Sequence, residues 1–369
     1  MKIGIITFHW APNCGAVLQA YALQTYLQKL GNSVEIIDYR PPYKKWGLRT
    51  YFSKNPVTMM AKWRELYQLR KFRKTYLQQL HLTRTTYWKS EPLKKECPPY
   101  DLLIAGSDQI WNPAMFQATR FNSMYFGSFA PPHMTKISYA ASLGQGDLSN
   151  SEQEELKKFL TGFTVIGVRE ENAVRLLSPL APPSCPVQQV VDPVLLLRRE
   201  DYQSIFNNRK AGEAPFIFLY LLSRPTPDHL SIINDVSSQL QLPLLSLKNP
   251  DTGYGVSGTK TRILPPAQWL ERLHSAAWII CSSFHAVAFA LLFHKPFIYL
   301  EAEPYRRQGG NQRILSLLKP LNLEHRCLDQ YHEETVKRIL QESIEWKSVD
   351  MVLEERRNLS EKFLNPFLQ

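Results

Sequence analysis

Four short stretches place reactive side chains at the ends of apolar runs. In "CSSFHAVAFALLFHKPFIYL", residues 281–300, His285 stands where the strand-like "WIICSS" gives way to "AVAFALLF". A segment apolar on all sides is a buried helix. A histidine at such a junction can face a cleft, and imidazole titrates close enough to neutrality to give or take a proton. Ser282 and Ser283 lie just ahead of it. The plain alternative is a satisfied core histidine. In "IAGSDQIWNP", residues 104–113, Asp108, Gln109, Trp111 and Asn112 crowd a loop straight after an apolar strand. A carboxylate beside an aromatic platform is a common way to hold a sugar, and loops that only connect rarely need both. An N-cap with a core tryptophan is the alternative. In "IGVREENA", Arg169 directly follows a strand, where a guanidinium suits bidentate binding of carboxylate or phosphate. A salt bridge to Glu170 or Glu171 competes with that reading, although adjacent residues point apart. In "FHWAPNCGAVLQAYAL", Asn13 and Gly15 sit at a strand-to-helix turn. Such a turn favours an anion and close backbone approach, or serves only as a cap. The G-x-G-x-x-G fingerprint is absent, so a dinucleotide is not supported.

These stretches need a frame of strands to aim them. "KIGIITF" reads as a strand and "GAVLQAYALQTYLQKLGN" as a helix with Val17, Leu18, Tyr21, Ala22, Leu27 and Leu30 on one side, stopped by Gly31. "SVEIIDY" is the next strand, which makes a β-α-β opening and a parallel sheet. "YDLLIAG", "KISYAAS" and "TVIGVRE" continue it, and "VVDPVLLL" (190–197) reads as a boundary. A second alternation follows: "PFIFLYLL", "DHLSIINDVSSQL", "PLLSLK", "PAQWLERLHSA", "AWIICSS", "AVAFALLF" and "PFIYLE". The expected fold is α/β, with two Rossmann-like domains facing a cleft. The division is residues 1–195, 196–345 and a C-terminal helix over 346–369. Ligands of open α/β sheets bind beyond the carboxyl ends of the strands, and all four stretches lie there.

The 369 residues are ample for two domains, and 44% are hydrophobic, which excludes a disordered chain. The five cysteines show no C-x-x-C spacing, which argues against a structural zinc or a disulfide framework and fits a reducing compartment. "MKIGIITFHW" begins a strand at once, and no apolar run is long enough for a bilayer, so a cytoplasmic protein is expected. The net charge of +11 is concentrated: residues 43–84 hold eleven Lys/Arg against the single acid Glu65, together with eight aromatics. This segment reads as a helical insertion. Cations mixed with amphipathic rings suit an anionic membrane surface; a nucleic acid would attract the same residues, and a solvated helical face is the plain alternative.

Taken in order, "ITFHWAPNCGAVLQAYAL", "YDLLIAGSDQIWNP", "ISYAASLG", "GVREENAVRLL", "VVDPVLLL" and "ICSSFHAVAFALLFHKPFI" resemble the polysaccharide pyruvyl transferase family, over about residues 3–300. The resemblance implies a GT-B-like fold, with the acceptor bound by the N-terminal domain and the donor by the C-terminal one. It implies phosphoenolpyruvate as donor and a saccharide as acceptor; with the basic segment 43–84, an acceptor carried on a lipid diphosphate at the cytoplasmic membrane face is expected. The product is a pyruvate ketal across two hydroxyls in cell-surface polysaccharide biosynthesis, made without a cofactor, a metal or a nucleic acid. His285 matches the family's histidine, Asp108 its acid in the first domain and Arg169 its arginine; Arg313 in "GGNQRILSLL" is a second cation for the donor. Donor contacts are expected from Arg169, Arg313, Ser282, Ser283, Asn13 and Gly15, and acceptor contacts from Trp111, Asn112 and Gln109. Two positions depart from the pattern: Ser283 stands where some members have arginine, and Ala286 where glycine is frequent. A nucleotide-sugar glycosyltransferase of the same fold, or a non-catalytic saccharide- or membrane-binding protein, are the alternatives.

Overall fold

The computed structural model describes residues 1–41, 59–60, 63, 67, 70–72, 74–75, 78–115, 121–144, 146–205, 214–248, 263–301 and 311–368. Two all-parallel sheets organise the chain. The first runs β2-β1-β3-β4-β5-β6, from β1 (Lys2–Ile6), β2 (Ser33–Ile36), β3 (Leu102–Ala105), β4 (Thr135–Ala141), β5 (Val165–Val168) and β6 (Val187–Gln189). The second runs β11-β10-β9-β7-β8, from β7 (Ile217–Tyr220), β8 (Leu244–Leu247), β9 (Trp278–Cys281), β10 (Phe297–Leu300) and β11 (Cys327–Leu328). The central strands are short apolar runs, such as "LLIA" and "IFLY", buried at every position. That is the signature of parallel strands covered on both faces. The register pairs Ile3 with Val34 on one side of β1 and with Leu102 on the other.

The helices are α1 (Cys14–Lys29), α2 (Ser90–Lys95), α3 (Asn150–Leu160), α4 (Glu171–Leu177), α5 (Pro193–Leu196), α6 (Pro227–Leu240), α7 (Pro266–Ser275), α8 (Phe284–Leu292), α9 (Gln312–Leu318), α10 (Glu333–Gln341) and α11 (Trp346–Leu364). Helix α1 starts at Asn13, whose side chain accepts from the Gly15 amide, and ends before Gly31 at φ +84°. Its periodicity predicts one apolar face, but even Gln19 and Gln24 are buried. The reason is its place between the halves: Val17 and Leu18 share one continuous core with Leu195, Trp269 and Phe289. The terminal helix α11 returns to the first sheet. The Ser360 hydroxyl accepts from the Val191 amide at 2.9 Å, Arg357 Nε donates to the Leu195 carbonyl at 2.7 Å, and Phe363 lies 6.3 Å from Tyr139, ring to ring. The boundary stretch "VVDPVLLL" is itself structured: Asp192 caps α5 with Pro193 at its first position. Of the expected helical insertion, residues 59–60, 63, 67, 70–72 and 74–75 are helical, and the remainder of 43–84 before Gln78 lies outside the described residues.

Each sheet has one place where the chain reverses direction across it, between β1 and β3 and between β7 and β9. Ligand crevices of open α/β sheets form at such switch points, beyond the strands' carboxyl ends.

Candidate active site

The loops after β1, β3, β7 and β9 meet around one cavity, of about 840 Å³ including its open mouth. The first half contributes Phe8, Trp10, Asn13, Asp108 and Gln109; the second contributes Leu222, Ser282, Ser283, Phe284, His285, Tyr299 and Arg313.

His285 is the second residue of α8, buried but lining the cavity. The Ser283 hydroxyl caps that helix by accepting from the Ala286 amide at 3.4 Å, and the Ser282 hydroxyl accepts from the Leu222 amide at 2.8 Å. Both serines therefore build the turn that aims His285 while still facing the cavity. A departure from the family pattern, Ser283, thus has a structural task here. Across the cavity, Asp108 sits at φ +71°, in the left-handed region that Asp tolerates through local hydrogen bonding. Its carboxylate accepts from the Gln109 amide at 2.8 Å and lies 4.0 Å from Arg169 Nη2. Gln109 faces the cavity and accepts from Asn112 Nδ2 at 2.8 Å.

Gly15 packs against the opposite half rather than lining the cavity. A Cβ there would lie 2.3 Å from His285 Nδ1, so the glycine makes room for the imidazole of the opposite half. Asn13 holds the turn open from the cavity side.

Three expected residues lie elsewhere. Trp111 is entirely buried, stacked on Phe126 at 4.8 Å, with its Nε1 donating to the Tyr125 carbonyl at 3.0 Å. It has no face for a sugar. Asn112 is buried and turns the chain, its Oδ1 accepting from the Ala114 amide at 3.0 Å. Arg169 does not face the cavity. Its guanidinium lies 4.4 Å from the Phe284 ring centre, and Nη1 donates to Asp192 Oδ2 at 2.8 Å. Burial works against its charge, but Asp192, Glu170 (3.9 Å) and Asp108 outweigh it and raise its pKa. Arg169 is thus anchored beneath the cavity lining by Asp192, away from the place expected of a donor ligand. Among the described residues lining the cavity, the cation is Arg313, beside Tyr299.

Two groups escape the sequence reading. Trp10 lines the cavity, its Nε1 donating to the Tyr125 hydroxyl at 3.2 Å, with Phe8 edge-on at 6.3 Å. Asp192, fully enclosed, lies 3.5 Å from His285 Nε2. Burial pushes its carboxyl up, but His285 and Arg169 prevail and hold it well below the usual carboxylate range. Asp192 follows β6, so the strand-end rule that found the others would have found it too. Burial pushes the nearby Cys14 thiol well up and the Cys281 thiol up to about 12, which disfavours either thiolate.

A family model for polysaccharide pyruvyl transferase matches residues 13–304. No curated protein matches the sequence. Among solved structures, a putative UDP-N-acetylglucosamine 2-epimerase from Listeria monocytogenes superposes with a TM-score of 0.51 at 11% identity, over 96% of this chain and 94% of that one. AviGT4, a glycosyltransferase involved in avilamycin A biosynthesis, gives 0.49 at 11% identity over 100% and 97%. UDP-GlcNAc 2-epimerase from Methanocaldococcus jannaschii gives 0.47 at 13% over 96% and 99%. The two facing Rossmann-like sheets, with a terminal helix returning to the first, form the GT-B-like architecture that the sequence implied.

Proposed function

This chain belongs to the polysaccharide pyruvyl transferase family, and on that footing we propose that it transfers pyruvate from phosphoenolpyruvate to two hydroxyls of a saccharide. The observation that carries the reading is the single cavity in which His285 of one half meets Asp108 of the other beside Arg313. The donor carries a phosphate and a carboxylate, and Arg313 supplies a fixed cation for one of them. Ser282 and Ser283 offer hydroxyl donors on the same wall.

Ketal formation adds a proton to the enol methylene, which becomes the methyl group. The adjacent carbon loses its bond to the phosphate oxygen and gains bonds to two sugar oxygens. The two hydroxyls give up two protons; one balances the methyl group and the other leaves with phosphate. His285 can carry a proton between hydroxyl and methylene, and Asp108 can orient or deprotonate the attacking hydroxyl. Trp10, with Phe8 behind it, takes the place expected of Trp111: an aromatic wall beside Asp108 for the apolar face of a sugar ring. Donor binding thus falls to residues 196–345 and acceptor binding to residues 1–195.

The test is incubation with phosphoenolpyruvate and candidate lipid-linked glycans, reading phosphate release and product mass. Turnover of a uridine or guanosine diphosphate sugar instead would make the protein a glycosyltransferase. Acceptor binding without turnover of either donor would make it a binding protein.

A second feature bears on where the acceptor is met. Met60, Trp63 and Tyr67, spaced three and four residues apart, are 73%, 51% and 69% exposed, and Arg70, Lys71 and Lys74 continue the exposed surface. Helical residues at that spacing share a face. Such a face suits an anionic leaflet carrying the lipid-linked acceptor, at about 1 kcal/mol per cation near the surface. The protein should bind anionic vesicles at low salt and leave them as ionic strength rises. Indifference to such vesicles at low salt would remove the membrane from the proposal. Among the described residues no helix is long and apolar enough to cross a bilayer.

A further inference from the structure

Asp192 is the point on which both halves and the linker converge. Its Oδ1 accepts from the Val194 amide at 3.1 Å, which fixes the carboxylate at the start of α5. Its Oδ2 accepts from Arg169 Nη1 at 2.8 Å and lies 3.5 Å from His285 Nε2 and 3.4 Å from the Ser107 hydroxyl. Among the described residues, His285 Nε2 has no hydrogen-bond partner. The other ring nitrogen, Nδ1, lies on the Gly15 side.

We propose that Asp192 is the positioning residue of this site: it accepts the Nε2 proton of His285, fixes the tautomer whose Nδ1 is unprotonated, and so makes Nδ1 the nitrogen that exchanges protons with substrate. A neutral imidazole carries one proton, and the partner of one nitrogen decides which nitrogen holds it. Asp192 is an enclosed acceptor facing Nε2, while Nδ1 is the nitrogen on the side away from it. Contacts of this kind are often long in a ligand-free site and tighten when substrate binds. When Nδ1 takes the hydroxyl proton, the O–H bond breaks, an N–H bond forms, and the resulting imidazolium charge faces Asp192. When Nδ1 releases that proton to the donor methylene, the neutral ring returns to the same tautomer. Asp192 stays ionised throughout, since Arg169 and His285 hold its carboxyl low. Arg169 completes the arrangement from the other side, so one carboxylate fixes the histidine of the second half against the arginine of the first.

The substrate's identity rests on the pyruvyl-transfer reading; the ring arrangement rests on geometry alone, and the test separates them. Ring-¹⁵N-labelled full-length protein reports which nitrogen is protonated, with His285 assigned as the signal that disappears in His285→Gln. We expect the neutral ring to carry its proton on Nε2. A neutral His285 protonated on Nδ1 overturns the proposal without any variant of Asp192. In Asp192→Asn, kcat should fall on the order of 10²–10⁴-fold, as when a histidine loses its orienting carboxylate. The donor KM should stay within about threefold, because Asp192 touches no substrate. Asp192→Glu should recover part of kcat. Unchanged kcat and an unchanged ring spectrum in folded Asp192→Asn would also overturn it. The expected tautomer in a protein that does not turn over phosphoenolpyruvate would sink the pyruvyl-transfer reading while leaving Asp192 in its role.

Discussion

Replacing Gly15 with alanine puts a methyl group where the imidazole of His285 now lies. The new Cβ would stand 2.3 Å from Nδ1, 2.6 Å from Cγ and 2.9 Å from Cβ of His285, against an ordinary contact of 3.4–4 Å. The two must part by about 1 Å, because close-packed interiors do not absorb such overlap. His285 has little room to retreat, since every residue of α8 is buried. The displacement therefore falls on the ring, its 3.5 Å contact with Asp192 and the apposition of the two halves. A misplacement of about 1 Å at a reacting group costs roughly a hundredfold in rate. Stability should respond differently. Gly15 lies in the first turn of α1, outside the left-handed region, where alanine gains about 0.5–1 kcal/mol in helix propensity. The expected outcome is a folded protein with a modestly lowered melting temperature, since overpacking costs about 1–3 kcal/mol and propensity returns only part of it, and kcat reduced about a hundredfold. That loss approaches the effect of His285→Ala, which should itself cost a hundredfold or more. Phosphate release under saturating donor, paired with a thermal melt, measures both. Gly15→Ala activity within about threefold of wild type would show that the close approach does not position His285, and the reasoning would fail.

The remaining predictions separate the other groups. Arg313→Lys should raise the apparent KM for phosphoenolpyruvate more than that for acceptor, since lysine cannot reproduce a bidentate fork; Arg169→Lys should act mainly on kcat, and the reverse pattern would return Arg169 to the donor site. Trp10→Ala should raise the acceptor KM several-fold and leave the donor KM unchanged, whereas Trp10→Phe should recover most of the loss; equal effects on both substrates would place Trp10 outside the acceptor site. For Asp38, burial raises the pKa, but His9, Arg40 and Thr86 outweigh it and bring the carboxyl down to about 2. A depressed carboxylate stabilises the fold above its unfolded pKa and loses that contribution as pH falls through the folded value. The stability gap between wild type and Asp38→Asn, measured by denaturant titration, should therefore shrink by about 2 kcal/mol between pH 5 and pH 2, and a pH-independent gap would refute the linkage.

The sheets were legible because parallel strands buried on both faces leave unbroken apolar runs, and the strand-end rule then pointed to the loops carrying His285 and Asp108. What stayed hidden depends on partners distant in sequence. Gly15 reads as a turn glycine until His285, on the other half, is placed against it. Arg169 stands beside Glu170 and Glu171 in the chain, but its hydrogen-bonded partner is Asp192, 23 residues away. A tryptophan after an aspartate looks the same whether it is a platform or a core residue, and only its full burial against Phe126 settles Trp111. The "VVDPVLLL" stretch reads as a boundary because a second alternation of strands and helices follows it. It is also the source of the carboxylate that lies between Arg169 and His285.

This arrangement has a consequence for why the two halves are held so firmly. The histidine comes from the second sheet, the opposing aspartate and the arginine from the first, and the carboxylate between them from the linker. No single half holds the complete set. A hinge with free play at the linker would move Asp192 relative to both of its partners. The sequence invests accordingly in apolar contact rather than flexibility: α1 is buried on nearly all sides, and α5 packs against it, against α8 and against α11. Helix α11 adds polar locks at Val191 and Leu195, flanking Asp192 in the chain. A terminal helix that never lines the cavity thereby fixes the linker from which the site's central carboxylate projects.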